Sequence, residues 1–449
     1  MSLQLIQDLK QKYSGKKVLI VGLGLQGGGV GIARFFSELG AKVTVTDKKD
    51  ENKLQSSINK LDGNDIQFHL GGHILEDFLE ADLIFKGPSV PWSSVEIRTA
   101  LEKKIPVEME LSFVVANYPG KVIGITGTRG KSTTTHLVFN LLKESGFEVV
   151  LGGGLPGIST IDCLKTADED SWLVAELSSW ALSGFHQKKI SPHIAIFTNF
   201  YPDHLNYYKD LKEYFYDKQA IFQYQKTGDY LIVNESLKEK VDSVLQTSST
   251  IAQFSKNDFP YSLTFLKGDH NLENAAAALK VSEVLNIDKN KAIEIIKNFS
   301  GLPYRLQVIG KKENVTFIND TTSTTPIATV KAIKSLNDKK IVLFLGGNSK
   351  NLPKDILINE LADIEKIVLL SGSFTEEILP ILKEKFSEKL LGPFGDLDQA
   401  IDTGYKLAEE LKEECYLIFS PGATSFAMFN NEFHRGDEFN RLVMSIINK

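Results

Sequence analysis

The stretch Lys121-Val-Ile-Gly-Ile-Thr-Gly-Thr-Arg-Gly-Lys-Ser-Thr-Thr-Thr135 constrains this chain more than any other. Val122 to Ile125 read as a short buried strand, and Gly127 and Gly130 as a tight turn. The spacing of Leu137, Val138, Leu141 and Leu142 predicts a helix that opens at Lys131. Such a turn aims several backbone N–H groups at one point, and the helix start adds about half a positive charge there. That makes an anion site. Lys131 can reach terminal phosphates, and the hydroxyl of Ser132 or Thr133 can help hold Mg²⁺, so the motif points to a nucleoside triphosphate. The strict G-x-x-x-x-G-K-[ST] pattern is not met, because Ile125 stands where its first glycine belongs. What is present is T-G-T-x-G-K-S, with Gly127, Thr128 and Gly130 before Lys131 and Ser132.

A chain of 449 residues is too long for one core and predicts about three domains. A net charge of −6 argues against general nucleic-acid or acidic-membrane affinity, so an anionic ligand needs local positive groups. The two cysteines, Cys163 and Cys415, match no metal or disulfide spacing and suit a reducing cytoplasm. No apolar run approaches the ~20 residues of a membrane span, and Met1 to Tyr13 read as an amphipathic helix rather than a leader.

The same strand-to-glycine pattern recurs along the chain. Lys16 to Gly27 is a strand running into G-x-G-x-x-G, followed by a helix and a second strand that ends at Asp47, an acid 20 residues beyond Gly27. That is the spacing of a dinucleotide-binding fingerprint, which serves many phosphate-bearing ligands. Short strands are read at 81–85 and 105–107, and strands at 148–151, 172–179, 193–199 and 230–234 follow the phosphate loop, with Glu176 near the end of the second and Asp203-His204 after the third. One sheet edge would gather these groups beside the nucleotide. A single histidine after a strand is most simply structural; beside Glu176 and a phosphate loop it reads as a metal ligand. Lys218, on a helix from 211 to 224, reads by itself as a solvated lysine, and Asn271 as either a helix cap or an amide aimed at a base. A third set of strand-to-turn stretches (315–320, 340–350, 365–372, 416–425) carries glycines and hydroxyls, with Thr324, Ser425, Lys350 and Arg435 on the loop face. The fold expected is α/β in three domains. They are a Rossmann-like first domain (1–118), a P-loop-type central domain with a mostly parallel sheet (119–300) and a Rossmann-like C-terminal domain (301–449).

Taken together, these motifs resemble the Mur ligases of bacterial peptidoglycan assembly. The resemblance rests on Gly127 to Thr133, Glu176-Leu-Ser-Ser179, Asp203-His204, Gly268 to Asn271, Leu302 to Arg305 and Asn319-Asp320. Ser420-Pro421, Ser425, Phe429 and Arg435 to Phe439 are similar to the branch that adds D-glutamate. The resemblance implies an ATP-dependent acid–amino-acid ligase that adds glutamate to UDP-N-acetylmuramoyl-L-alanine through an acyl phosphate. It implies ATP on Gly127 to Thr133, with Asn271, Arg305 and Asp320 at adenine, phosphate and ribose. It implies Mg²⁺, two ions, served by Ser132, Glu176, His204 and a carbamylated Lys218. Leu25, Gln26 and Asp47 would lie by the uridine diphosphate, and Thr324, Lys350 and Ser425 would hold the incoming amino acid. Lys131, Glu176, His204 and Lys218 are the implied catalytic set. A cytoplasmic monomer is expected.

The chain departs from the family pattern at Arg129 (Asn is usual), Gly152-Gly153, Gly87-Pro88-Ser89, Trp180-Ala181, Thr321 to Thr324 and Glu432-Phe433. Most of these lie by the acceptor or amino acid, so L-glutamate or another acidic residue is the alternative to D-glutamate. Among rivals, a folylpolyglutamate-type ligase lacks the first-domain fingerprint. An NAD-dependent oxidoreductase leaves Lys131, Glu176 and His204 unexplained. An amidating-complex subunit needs four cysteines.

Overall fold

Runs such as Lys17–Val21, Lys121–Thr126 and Cys415–Phe419 are apolar on both faces, as strands covered by helices on each side must be. They form the centres of three sheets. The computed structural model describes all residues except 1, 25–26, 155–158, 205–206, 246–247, 267–268, 337, 426–427, 430 and 449. The described chain forms two compact units, residues 1–263 with 267–299, and residues 264–266 with 300–449.

The first unit holds two sheets. In the first, β1 (Lys17–Val21), β2 (Lys42–Asp47), β3 (Ile66–Leu70), β4 (Leu83–Lys86) and β5 (Val107–Glu108) pair in the order β3-β2-β1-β4-β5, all parallel. The order reverses beside β1, which opens a crevice at the carboxyl ends of β1 and β4. In the second, β6 (Lys121–Thr126), β7 (Val149–Gly153), β8 (Trp172–Glu176), β9 (Ile194–Phe197), β10 (Tyr230–Asn234) and β11 (Thr250–Phe254) take the order β11-β10-β9-β6-β8-β7, again all parallel. β6 is therefore flanked by β8 and β9, with Ile125 opposite Glu176 in register.

The second unit holds β12 (Gln307–Lys312), β13 (Val315–Asn319), β14 (Lys340–Gly346), β15 (Lys366–Leu370), β16 (Leu390–Phe394) and β17 (Cys415–Phe419), ordered β12-β13-β17-β14-β15-β16. Among the described strand pairs of this sheet only the hairpin β12–β13 is antiparallel. The α/β class with mostly parallel sheets is as expected. No helix among the described residues is long and apolar enough to cross a membrane.

Candidate active site

The phosphate loop leaves the end of β6 and enters the helix Lys131–Glu144. Gly130 takes φ +79 there, and a Cβ on it would lie 2.4 Å from Asn274 Oδ1, so only glycine suits both the turn and the packing. The β9 side braces the loop. Arg129 N donates to Asn199 Oδ1 at 2.8 Å, Thr128 N to Asn199 O at 3.0 Å, and Thr198 Oγ1 to Arg129 O at 2.7 Å. Lys131 folds back onto its own loop, donating to the Gly127 and Thr128 carbonyls at 3.2 Å each. Burial pushes its ammonium pKa down, against the pull of Glu176.

Lys218 lies on the helix Leu211–Gln223, which Asp210 caps by accepting from Lys212 N and Glu213 N. It is not solvated: the side chain is 1% exposed. The apolar stripe Tyr214, Phe215, Ile221, Phe222 places position 218 on the buried face at helical spacing. Its Nζ donates to Gly127 O at 2.8 Å and Thr126 Oγ1 at 3.4 Å, and stands 4.9 Å from the Tyr214 ring centre. Burial first, and then the Lys131 charge, hold its pKa well below the ordinary lysine value.

Glu176 ends β8, and its Oε2 is buried without a hydrogen-bond partner among the described residues. His204 adopts φ +54, with its N donating to Asp203 Oδ1 at 2.8 Å. Its ring faces Trp180 (5.2 Å) and Tyr214 (5.8 Å). Arg129 reaches only to 3.9 Å from Asp203 and is otherwise exposed. Among the described residues, no three His, Cys, Asp or Glu side chains gather closely enough to hold a metal by themselves.

A cleft of about 810 Å³ runs from the ends of β1, β2 and β4 to Glu176 and Trp180. Asp47 lines it, with Oδ1 accepting from Lys49 N (2.9 Å) and Oδ2 from Gly24 N (3.3 Å). Leu25 and Gln26 lie outside the described residues. Lys86 also lines the cleft, 2% exposed, donating to Val90 O at 3.0 Å with its Nζ 4.4 Å from the Trp92 ring centre. Burial lowers its pKa to about 8. Asp217, next to Lys218, accepts from Tyr208 Oη at 3.0 Å, and burial raises its carboxyl to about 6.

In the second unit, Lys350 Nζ donates to Thr324 Oγ1 at 2.9 Å. Ser425 is 2% exposed, and its Oγ has no hydrogen-bond partner among the described residues. Asp320 is buried, with Oδ1 accepting from Leu306 N (3.1 Å) and Oδ2 from Ser420 Oγ (2.6 Å), while the Arg305 side chain is exposed. Arg435 is not on the loop face. It is buried, donating to Thr321 Oγ1 (2.9 Å), Thr321 O (2.8 Å) and Ala423 O (3.2 Å), and so ties the loop of Thr324 to the loop of Ser425.

Two family models match this chain: the Mur ligase MurD-like N-terminal domain over residues 16–108 and the Mur ligase middle domain over residues 125–264. A UDP-N-acetylmuramoylalanine–D-glutamate ligase from Roseiflexus is 33% identical, covering 97% of this chain and 99% of its own. One from Borreliella burgdorferi is 36% identical over 95% of this chain and 97% of its own. The chain belongs to the Mur ligase family. The fold agrees with that of a solved UDP-N-acetylmuramate–alanine ligase from Thermotoga maritima, at TM-score 0.51 and 19% identity over 96% of this chain and all of the other.

Within this Mur ligase, Lys131 and Lys218 meet at the backbone of Gly127. His204 and Lys218 both approach the Tyr214 ring, Lys218 Nζ over its face. Asn271 sits inside the first turn of the helix Asp269–Val284 rather than ahead of it, with Oδ1 accepting from Asn274 Nδ2 at 3.2 Å. Thr198, Asn199 and Asn274, which brace the loop, were not among the expected site residues. Their signal is positional: Asn199 follows β9 at the carboxyl edge, and Asn274 lies one helical turn beyond Asn271.

Proposed function

We propose that this Mur ligase joins D-glutamate to UDP-N-acetylmuramoyl-L-alanine, cleaving ATP to ADP and phosphate, as a step of peptidoglycan precursor synthesis in the cytoplasm. One observation carries the reading. A single cleft connects the glycine loop of the first sheet to Glu176 beside the phosphate loop, so a long nucleotide-linked acid can lie with its far end at the triphosphate. The names and full-length similarity of the relatives support the same substrates.

The acceptor carboxylate attacks the γ-phosphate of ATP and ADP leaves, giving an acyl phosphate. The amino acid's amine then adds to the acyl carbon, and phosphate is expelled. Both first-step reactants are anions, so the chain's task is to neutralise charge and align them. Lys131 swings its ammonium from the Gly127 and Thr128 carbonyls to the phosphates, and the loop N–H groups hold the oxygens. Asn271, Arg305 and Asp320 are read as the nucleoside contacts. Thr324, Lys350 and Ser425 are read as the holders of the glutamate carboxylates.

Mg²⁺ fits the residues present. Glu176 Oε2 is a buried oxygen without a partner, and hard cations of this size take one or two protein oxygens with phosphates completing the shell. Ser132, Glu176, His204 and a carbamate on Lys218 would hold it, where it supplies charge neutralisation at the phosphates. Burial of Lys218 favours its neutral amine, which can add to the carbon of CO₂, release one proton and become an anionic oxygen ligand. The amine of glutamate must also lose a proton, and His204 and that carbamate are the candidates to take it.

Mass spectrometry of the full chain with ATP, Mg²⁺ and UDP-N-acetylmuramoyl-L-alanine, offering D-Glu and L-Glu separately, tests the reading. The expected product is the D-glutamyl adduct with phosphate release. Release with no amino acid offered, or product with L-Glu alone, would overturn the substrate assignment.

A further inference from the structure

His73 lines the cleft on the side of β2 and β3, in the turn that follows β3 of the first sheet, whereas Glu176 ends β8 of the second. That turn is rigid. Gly71 N and Gly72 N both donate to Asp47 O, at 3.0 and 3.2 Å, so the segment is pinned to the end of β2. The Phe78 ring meets the imidazole edge-to-face at 5.7 Å. His73 Nδ1 lies 2.9 Å from Thr46 Oγ1, and the same hydroxyl lies 3.1 Å from Gly72 O. The hydroxyl has one proton, and the Gly72 carbonyl, which can only accept, takes it. Nδ1 must then carry the imidazole proton and donate to Thr46 Oγ1. Nε2 is left as a bare acceptor with no hydrogen-bond partner among the described residues, on a ring that lines the cleft. Burial lowers the His73 pKa, which favours this neutral form.

The Glu176 side of the cleft is where the reacting carboxylate must lie, beside the phosphate loop, so the Asp47–His73 side receives the nucleoside. We propose that His73 Nε2 is a specificity-determining acceptor for one hydrogen-bond donor of that nucleoside, the N3–H of the base or a ribose hydroxyl. The inference rests on the proposed nucleotide-linked substrate. A base or sugar presenting an acceptor there would leave two lone pairs facing each other, so the site discriminates by chemistry as well as by fit. Because His73 belongs to the first sheet and the phosphate loop and Glu176 to the second, its loss acts on substrate binding and not on the chemical step.

The test uses the full chain and calorimetric binding of UDP, N3-methyl-UDP and 2′-deoxy- and 3′-deoxy-UDP, with steady-state kinetics on the full substrate. His73→Leu is expected to weaken UDP binding about 10-fold and raise KM for the UDP-substrate similarly, with kcat little changed. His73→Gln, which can place an oxygen near Nε2, should recover much of this. One analogue should bind wild type about 10-fold more weakly than UDP yet bind His73→Leu no worse than UDP does, which identifies the donor. UDP binding by His73→Leu equal to wild type, with ATP binding intact, overturns the assignment of His73 alone. A wild-type chain that binds no UDP overturns both this assignment and the substrate reading.

Discussion

Lys218 Nζ donates to the Gly127 carbonyl across 2.8 Å, which ties the helix carrying the lysine to the backbone that cradles the phosphates. No carboxylate pairs with it among the described residues, so the buried site favours a neutral amine, the form that reacts with CO₂. Lys218→Ala is expected to lose about 10²-fold or more in kcat, with partial recovery in acetate or bicarbonate. Carbon-13 spectra of wild type in labelled bicarbonate should show a carbamate signal that the variant lacks. Full activity of the variant without added anion would reject the role.

Lys131 makes a different demand. Among the described residues its ammonium is hydrogen-bonded to two carbonyls of its own loop, and burial disfavours the charge against the pull of Glu176. Lys131→Met should leave the thermal midpoint of the ATP-free protein unchanged or higher, while kcat falls roughly 10²–10³-fold. A large loss of stability alongside the lost activity would mean the lysine is structural.

Gly130 is held in the left-handed region with Asn274 Oδ1 where a Cβ would go. Gly130→Ala should cost about 1–3 kcal/mol in denaturant unfolding and weaken ATP binding, since relief requires the loop to move off Asn274. Asn274→Ala removes the clash but not the strain, so in the double variant only part of the loss should return. Complete recovery would show that φ +79 carries no cost here.

Much of this site is legible in the sequence, for identifiable reasons. The strand-to-glycine turns mark the carboxyl edges because a buried parallel strand must be apolar and its exit must be tight. Lys218 carries its own signal, since 214, 215, 218, 221 and 222 share one helical face. The strands that local pattern leaves unread are β3, β11, β12 and β16, each at a sheet edge, where exposure mixes polar residues into the run. Arg435 is misread for a related reason. A charged residue in a turn-rich segment reads as a surface group, and only tertiary structure supplies the Thr321 and Ala423 carbonyls that satisfy it.

Asp217 gives a pH test of the packing around Lys218. Its carboxyl is raised from 3.8 to about 6 by burial, so between these values the folded chain binds more protons than the unfolded one. Stability from this group is therefore present at low pH and lost as pH rises through about 6. Asp217→Asn keeps the acceptor for Tyr208 and removes the titration. The variant should gain on wild type as pH rises from 4 to 7, reaching about 1–2 kcal/mol after allowing for partial exposure and the lost attraction to Lys86. Parallel stability curves for the two proteins would show that Asp217 is solvated.

Ser425 separates a binding role from a structural one most cleanly. Its hydroxyl is buried with no partner among the described residues, so in the free protein it costs stability rather than supplying it. A glutamate carboxylate would satisfy it. Ser425→Ala should therefore leave unfolding free energy unchanged or raise it by up to about 1 kcal/mol, while raising KM for D-glutamate roughly 10-fold. Thr324→Val, which removes the acceptor for the Lys350 ammonium, should raise the same KM and leave that for ATP alone. If Ser425→Ala instead loses stability and keeps its KM, the hydroxyl has a structural partner, and the glutamate carboxylate binds elsewhere.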